Sequence, residues 1–241
     1  MDFSTTTILV LFIIFLSTFI RSALGFGDAL IAMPLLAMVV GLNVATPLTA
    51  MGATTIAITI LVKSWRKVEI KAAWRLVLTT WIGIPLGIYF LKAAPDLLVK
   101  LMLGILITGF GLYNLLSPKL PKLLTDRWAY LTGIIAGVLG GAYNANGPPV
   151  VIYGMLRRWD TEKFRATLQG YFLPTGAAIL ISHGLAGLWT TQVVHLYLYC
   201  LPVIIGATLI GGKVNQMIPQ GKFDKIIYGF LVVIGILVII R

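Results

Sequence analysis

Long apolar runs dominate the pattern of hydrophobic and polar positions along the chain. Six of these runs approach the roughly 20 residues that a helix needs to cross the hydrocarbon core of a bilayer. They cover residues 44–62, 72–91, 97–116, 161–182, 190–212 and 226–240. The pattern predicts one membrane-spanning helix in each run.

Two further regions, residues 5–42 and 128–159, contain apolar arms that are separated by glycine-rich and polar residues. The first region is interrupted at residues 21–28 and the second at residues 140–149. Glycine tolerates unusual backbone angles, and proline ends or begins a helix. Each region is therefore predicted to be a hairpin of two helices joined by a non-helical break within or across the membrane.

The order of these elements repeats along the chain. A broken hairpin followed by three helices occurs in residues 1–116 and again in residues 128–241, with residues 117–127 as a linker. A shift of 115 residues places Gly25 on Gly140, and later helices match at larger shifts. The predicted fold class is all-α, a polytopic membrane protein of two repeats. A simple helical bundle without repeat symmetry is the alternative.

Composition and charge agree with a membrane location. The chain is 59% hydrophobic and 11% charged, whereas soluble domains carry about 25% charged residues. A net charge of +11 on a soluble protein would indicate nucleic acid. Here, 14 of the 19 Lys and Arg residues lie in four loops between apolar runs, as cytoplasmic loops do. We therefore expect an inner-membrane protein with no nucleic-acid partner.

The charge distribution also predicts the orientation of the two repeats. Each repeat has five segments, an odd number, so that the second repeat enters the membrane from the opposite side. The N-terminus is expected to be periplasmic and the linker, residues 117–127, cytoplasmic. The first apolar run, residues 5–20, lacks the basic region and cleavage site of a signal peptide and is expected to remain in the mature protein.

Inverted repeats with broken helices place a substrate at the bilayer midplane. The N-terminus of a half-helix presents unpaired N–H groups and a partial positive charge, which suit an oxyanion. Two such ends facing each other would form an anion cradle. The candidate substrate-binding residues lie in the breaks and in adjacent helices: Arg21, Gly25, Phe26, Gly27, Asp28, Thr49, Tyr143, Asn144, Ala145, Asn146, Gly147 and Gln169.

Asp28 has two interpretations at this stage. It is the one acidic residue well inside an apolar region. It could cap the following helix or form a salt bridge with Arg21, since an intramembrane charge is costly unless it is paired. It could instead couple transport to protons, because burial favours the neutral form of a carboxyl group.

The first break and its flanks carry a family resemblance. Residues 21–36 read RSALGFGDALIAMPLL, and the second break is followed by Pro148 and Pro149. Together they resemble the TauE/SafE family of sulfite exporters, which is also known as the family of the 4-toluene sulfonate uptake permease. Glycines in these breaks are fewer than is common in that family, which implies a narrower and more polar cavity.

The resemblance covers essentially the whole chain and implies a transporter of sulfite, sulfoacetate or related anions. The resemblance implies two partners: a small anionic substrate, sulfite or an organosulfonate, and the lipid bilayer. A homo-oligomer is compatible with the sequence. Export by alternating access around the two broken helices is the expected function, and an anion channel or a membrane scaffold is the alternative.

The sequence contains none of the common motifs of enzyme active sites that we considered. It contains one cysteine, Cys200, and no G-x-S-x-G, H-E-x-x-H or Walker A pattern. His183 and His195 lie on different segments, and neither neighbours a nucleophile. We therefore expect a protein that is not an enzyme and that uses no metal and no cofactor.

Overall fold

The computed structural model describes residues 5–64, 70–116, 123, 125–159, 161–217 and 222–240. Within these ranges the chain forms ten α-helices and no strand. In chain order they are α1 (Thr5–Leu24), α2 (Asp28–Val40), α3 (Leu42–Ser64), α4 (Ile70–Ala93), α5 (Asp96–Leu116), α6 (Trp128–Tyr143), α7 (Gly147–Leu156), α8 (Thr161–Leu185), α9 (Thr191–Met217) and α10 (Lys222–Ile240). The all-helical prediction is confirmed for this part of the chain.

Five segments of the described chain are long and apolar enough to cross a membrane. They are Thr5–Ala23, Leu42–Ile60, Trp74–Ala93, Asp96–Leu116 and Thr191–Val214. Large apolar side chains on these helices remain exposed, among them Phe12, Tyr89 and Leu116. Many such side chains exposed together on helices of spanning length favour lipid over water as their surroundings. The chain is therefore a multi-pass membrane protein.

Three of the four helices that flank the breaks are shorter than a full membrane crossing. The lengths are 13 residues for α2, 16 for α6 and 10 for α7. At 1.5 Å per residue, α2 and α7 extend only about 20 and 15 Å. Both can therefore begin inside the membrane rather than at its surface.

Each break is shorter than the sequence indicated. The first comprises residues 25–27 and the second residues 144–146. The prediction that residues 21–28 and 140–149 are non-helical was wrong at the edges. Arg21 lies in the last turns of α1 and Asp28 begins α2. Proline at the first positions of α7 continues the helix, because those positions need no N–H donor.

The two breaks begin with the same local backbone geometry. Gly25 and Asn144 each follow a first arm in the left-handed conformation, with φ of 93° and 54°. The amide nitrogen of Gly25 donates to the carbonyl of Arg21 at 2.6 Å, and that of Asn144 to Gly140 at 2.8 Å. This helix ending favours Gly or Asn. Gly25 and Asn144 thus end their helices in the same way, whereas Gly140 lies within α6.

Helices from the two parts of the chain interleave. α4 packs against α6 and α8, and α9 packs against α1 and α3. Two groups result: the α2 group, comprising α1, α2, α3 and α9, and the α7 group, comprising α4, α6, α7 and α8. The most extensive contact between the groups is that of α3 with α8, while α5 pairs with α10 beside α2.

Glycines allow the closest helix contact, between α4 and α6. A Cβ added at Gly137 would lie 2.7 Å from the Cα of Gly83, and one added at Gly87 would lie 2.9 Å from the amide nitrogen of Ala142. Small residues let membrane helices approach to backbone contact. The glycines that had been assigned to the second break, Gly140 and Gly141, lie in α6, and a Cβ on Gly141 would meet the carbonyl oxygen of Ile84.

Ion pairs join the ends of helices in the α7 group. Asp126, just before α6, accepts from Arg75 of α4 at 2.9 Å and from Arg157 after α7 at 2.6 Å. Much of the predicted linker, residues 117–127, and parts of the cation-rich loops lie outside the described residues.

Candidate functional site

A small cavity lies where the α2 group meets the α7 group. Its volume is about 30 Å³, which exceeds the minimum that a buried water needs. The α2 group lines it with Arg21, Gly27, Asp28, Ala29, Leu30 and Ala53, and the α7 group with Asn144, Ala145, Asn146, Gly147, Pro148, Phe172 and Gly176. Both breaks therefore border the same space.

The first turns of α2 and α7 border the cavity together. α2 begins at Asp28 and α7 at Gly147, and both residues line the wall. The first N–H groups of a helix have no acceptor within it. The first turn of α2 therefore places unpaired donors beside the cavity. α7 adds fewer, because Pro148 and Pro149 carry no N–H, but both helix ends have a partial positive charge.

A buried ion pair forms one side of the wall. Arg21 donates from Nη1 to Oδ2 of Asp28 at 2.7 Å, and the two residues are 4% and 8% exposed. The guanidinium carbon of Arg21 lies 5.3 Å from the ring centroid of Phe172, across the cavity on α8. This geometry is that of a cation–π contact. The Nε atom of Arg21 is buried and has no hydrogen-bond partner among the described residues.

A series of hydrogen bonds through hydroxyl and carbonyl groups holds the side chain of Asn146. The amide nitrogen of Asn146 donates to the hydroxyl of Thr175 at 3.1 Å, and Thr175 donates to the carbonyl of Tyr171 at 2.7 Å. The hydroxyl of Tyr171 contacts that of Thr80 at 2.9 Å, and Thr80 donates to the carbonyl of Gly133 at 3.0 Å. Residues of α4, α6 and α8 thus fix the position of a break residue.

Two predicted site residues pack away from the cavity wall. The ring of Phe26 packs edge-on against Phe110 of α5, with centroids 6.2 Å apart. The hydroxyl of Tyr143 donates to the carbonyl of Val99 in α5 at 2.9 Å. Both side chains therefore attach a hairpin to α5.

Three more predicted residues lie elsewhere. Gly25 ends α1 and does not line the cavity. Thr49 is buried in α3, and its hydroxyl has no hydrogen-bond partner in the described part of the structure. Gln169 lies in α8, but its side chain is outside what the structure describes.

The remaining seven predicted residues line the cavity. They are Arg21, Gly27, Asp28, Asn144, Ala145, Asn146 and Gly147. Sequence reasoning missed Ala53, Phe172 and Gly176 in the neighbouring helices. The sequence carried no signal for them, because alanine and glycine are equally expected at close contacts between membrane helices.

Apolar helices with lipid-compatible surfaces, enclosing a charged cavity between two broken hairpins, are the features of a multi-pass membrane transporter. The chain matches the family described as "Sulfite exporter TauE/SafE" over residues 10–238. It belongs to this family, and the resemblance noted in the first hairpin is confirmed.

Individual relatives agree with the family. The probable sulfite/organosulfonate exporter TauE of Cupriavidus necator is 24% identical over 226 residues, which cover 90% of this chain and 88% of the relative. A probable membrane transporter protein of Haemophilus influenzae is 31% identical over 147 residues, 58% of this chain and 55% of the relative. No solved structure matches the chain significantly.

Proposed function

We propose that this chain exports a small sulfur-containing oxyanion, sulfite or an organosulfonate, across the inner membrane and binds it in the cavity between α2 and α7. The observation that carries the proposal is the convergence of two helix N-termini and a buried arginine on one space. The printed name of the Cupriavidus necator relative supports the sulfur-containing class of substrate.

The wall chemistry suits an oxyanion. Unpaired N–H groups of the first turns donate to oxygen and add a partial positive charge. Arg21 contributes a charged donor group that is paired with Asp28, and the amides of Asn144 and Asn146 are further donors. Hydrogen bonds to ionic oxygens are stronger than neutral ones, and low local polarity strengthens them further.

Export requires no ATP-binding module, and the sequence has no Walker A pattern. An interior-negative membrane potential favours the exit of an anion by about 2.3 kcal/mol per charge per 100 mV. Uniport is therefore sufficient. The 2.7 Å contact of Asp28 with Arg21 supports the salt-bridge interpretation of Asp28, and proton coupling through Asp28 is not needed.

We infer that the two series of five helices, in residues 1–116 and 128–241, have opposite orientations. In chain order, α1 to α5 of the first series have α6 to α10 as their counterparts in the second. Replacing each helix by its counterpart turns the packed pair α4–α6 into the packed pair α9–α1. It likewise turns α4–α8 into α9–α3. Such an exchange is expected of two repeats related by a two-fold axis.

Thiol labelling tests the orientation. Ala93→Cys and Lys213→Cys place thiols near equivalent ends of α4 and α9, in a Cys200→Ala background. A membrane-impermeant maleimide should label Ala93→Cys from the periplasmic side and Lys213→Cys from the cytoplasmic side. Labelling of both from the same side would contradict opposite orientations.

We further propose that the α2 group and the α7 group are the units that move during transport. Movement of one repeat as a unit against the other is the alternative. Backbone contacts of α6 with α4, however, join helices of different repeats. The cavity lies between the two groups, so a change in their separation would open it to either side.

Ligand binding and efflux test the function. Purified protein should be stabilised against heating by sulfite and methanesulfonate, because a ligand that binds only the folded form raises its melting temperature. Proteoliposomes loaded with the same anions should show saturable efflux and exchange, whereas a channel would show neither. If none of the anions raised the melting temperature, the result would contradict the proposal.

A matched pair of variants tests whether the anion binds beside Asn146. Asn146→Ala should weaken anion binding about 10- to 100-fold, because a hydrogen bond to a charged group contributes about 1.5–3 kcal/mol. Asn114→Ala is the control, since Asn114 is also buried but its amide donates to Phe110 within α5, away from the cavity. Equal binding by both variants would remove Asn146 from the site.

A further inference from the structure

We propose that the cavity selects singly charged oxyanions and discriminates against doubly charged ones such as sulfate. This inference rests on the proposed function and specifies the charge of its substrate. Its basis is the set of charges around the cavity. Arg21 and Asp28 are the only charged side chains that the described residues place on the wall.

The charges of Arg21 and Asp28 cancel. Nη1 of Arg21 lies 2.7 Å from Oδ2 of Asp28, so the ion pair adds no net charge to the wall. The N-termini of α2 and α7 remain, and a helix N-terminus is equivalent to roughly half a positive charge. The wall therefore presents about one positive charge in total, which one monovalent anion neutralises.

A dianion leaves one negative charge without compensation. The rest of the wall is apolar or neutral, with Ala29, Leu30, Ala53, Pro148 and Phe172 among its members. Burying an unpaired charge in such surroundings is unfavourable. Hydrogen bonds from neutral amides reduce this penalty but do not supply the missing charge.

Arg21 supplies evidence for a ligand that is independent of the helix ends. It is 4% exposed, and its Nε has no hydrogen-bond partner in the described structure. Asp28 occupies Nη1, while Phe172 lies over the guanidinium group. A buried donor left unpaired beside a cavity is costly unless a ligand or water meets it. Asp28 thus holds Arg21 in place and limits its net attraction for an anion.

Two anions of fixed charge test the inference on the wild-type protein. Methanesulfonate is a monoanion and sulfate a dianion, and both present sulfur-bound oxygens. In titrations of purified protein at equal ionic strength, methanesulfonate should bind at least tenfold more tightly. Sulfate binding as tight or tighter would overturn the charge rule and leave the proposed function standing. Binding of neither anion, nor of sulfite, would overturn both.

Removal of the wall's negative charge should shift the anion preference towards sulfate. Asp28→Asn leaves about two positive charges around the cavity and should shift the sulfate-to-methanesulfonate affinity ratio at least tenfold towards sulfate. Asp96→Asn is the matched control, because Asp96 is exposed in the first turn of α5 and does not line the cavity. An unchanged ratio in Asp28→Asn, or an equal shift in Asp96→Asn, would overturn the inference.

A double variant covers the case in which Asp28→Asn does not fold. Arg21→Gln with Asp28→Asn removes both charges and restores the total of about one positive charge. It should bind anions more weakly than the wild type but still prefer methanesulfonate over sulfate. A double variant that prefers sulfate would overturn the inference.

Discussion

Arg21 and Asp28 depend on each other inside the protein. Each lies in an apolar segment and each is almost fully buried. Taking two charges out of water costs several kcal/mol per ion, and their mutual attraction offsets this cost only when the geometry is good. The 2.7 Å contact meets that condition. The pair therefore has a structural role as well as the proposed role in charge selection.

Substitution of one partner should show the structural role. Arg21→Gln leaves the Asp28 carboxylate buried without its partner and should lower the free energy of unfolding by about 3–5 kcal/mol. The double variant Arg21→Gln with Asp28→Asn should recover most of this stability but not the affinity for methanesulfonate. Thermal melting in detergent and ligand titration measure the two effects. A single variant as stable as the wild type would show that the ion pair contributes nothing to folding.

At the scale of the element, small residues have two different functions in this chain. Gly25 and Gly27 have positive φ angles and belong to a break, where other residues would be strained. Gly83 and Gly137 have helical backbones and allow α4 to contact α6 directly. Sequence reasoning assigned Gly140 and Gly141 to the first function, whereas α6 uses them for the second.

The close-packing function predicts a position-dependent effect of added methyl groups. A Cβ at Gly137 would overlap the carbonyl oxygen of Thr80. Gly137→Ala should therefore lower stability by about 1–3 kcal/mol through overpacking. Gly109→Ala is the control, since no atom lies within 4 Å of its added Cβ, and alanine stabilises a helix interior by about 0.5–1 kcal/mol relative to glycine. Similar melting temperatures for both variants would contradict this account of the contact.

At the scale of the whole molecule, the interleaving of helices decides which parts can move. α4 and α6 are joined by backbone contacts, as are α1 and α9 at Gly211. Contacts of this kind leave no flexible side chains to absorb a displacement, so these pairs should move together. The contact of α3 with α8 beside the cavity is where we propose that the two groups separate.

A disulfide across this contact should block transport. A Cβ added at Gly176 would lie 3.8 Å from Oγ1 of Thr54, so side chains at these two positions meet directly across the contact. Thr54→Cys with Gly176→Cys, in a Cys200→Ala background, should lose efflux on oxidation and regain it on reduction. Each single-cysteine variant is the control and should not respond to oxidation. Undiminished efflux in the oxidised form would exclude separation of α3 and α8.

The fold was predicted from sequence further than the site was. Hydropathy located α3, α4, α5 and α9 to within a few residues, because an apolar run of spanning length has few alternatives in lipid. The breaks were located but drawn too long. Proline and glycine can end, begin or continue a helix according to their neighbours, so local composition did not identify residues 25–27 and 144–146 as the breaks.

The sequence by itself determined that this protein is helical, lies in a membrane and carries charged and polar residues in two interrupted segments, because these properties depend on composition over about 20 residues. Only the tertiary structure decided which of those residues share a cavity. Phe172 joins the wall and Tyr143 leaves it because of contacts between helices that are distant in sequence. Such contacts depend on how helix surfaces fit together, and hydropathy carries no information about that fit.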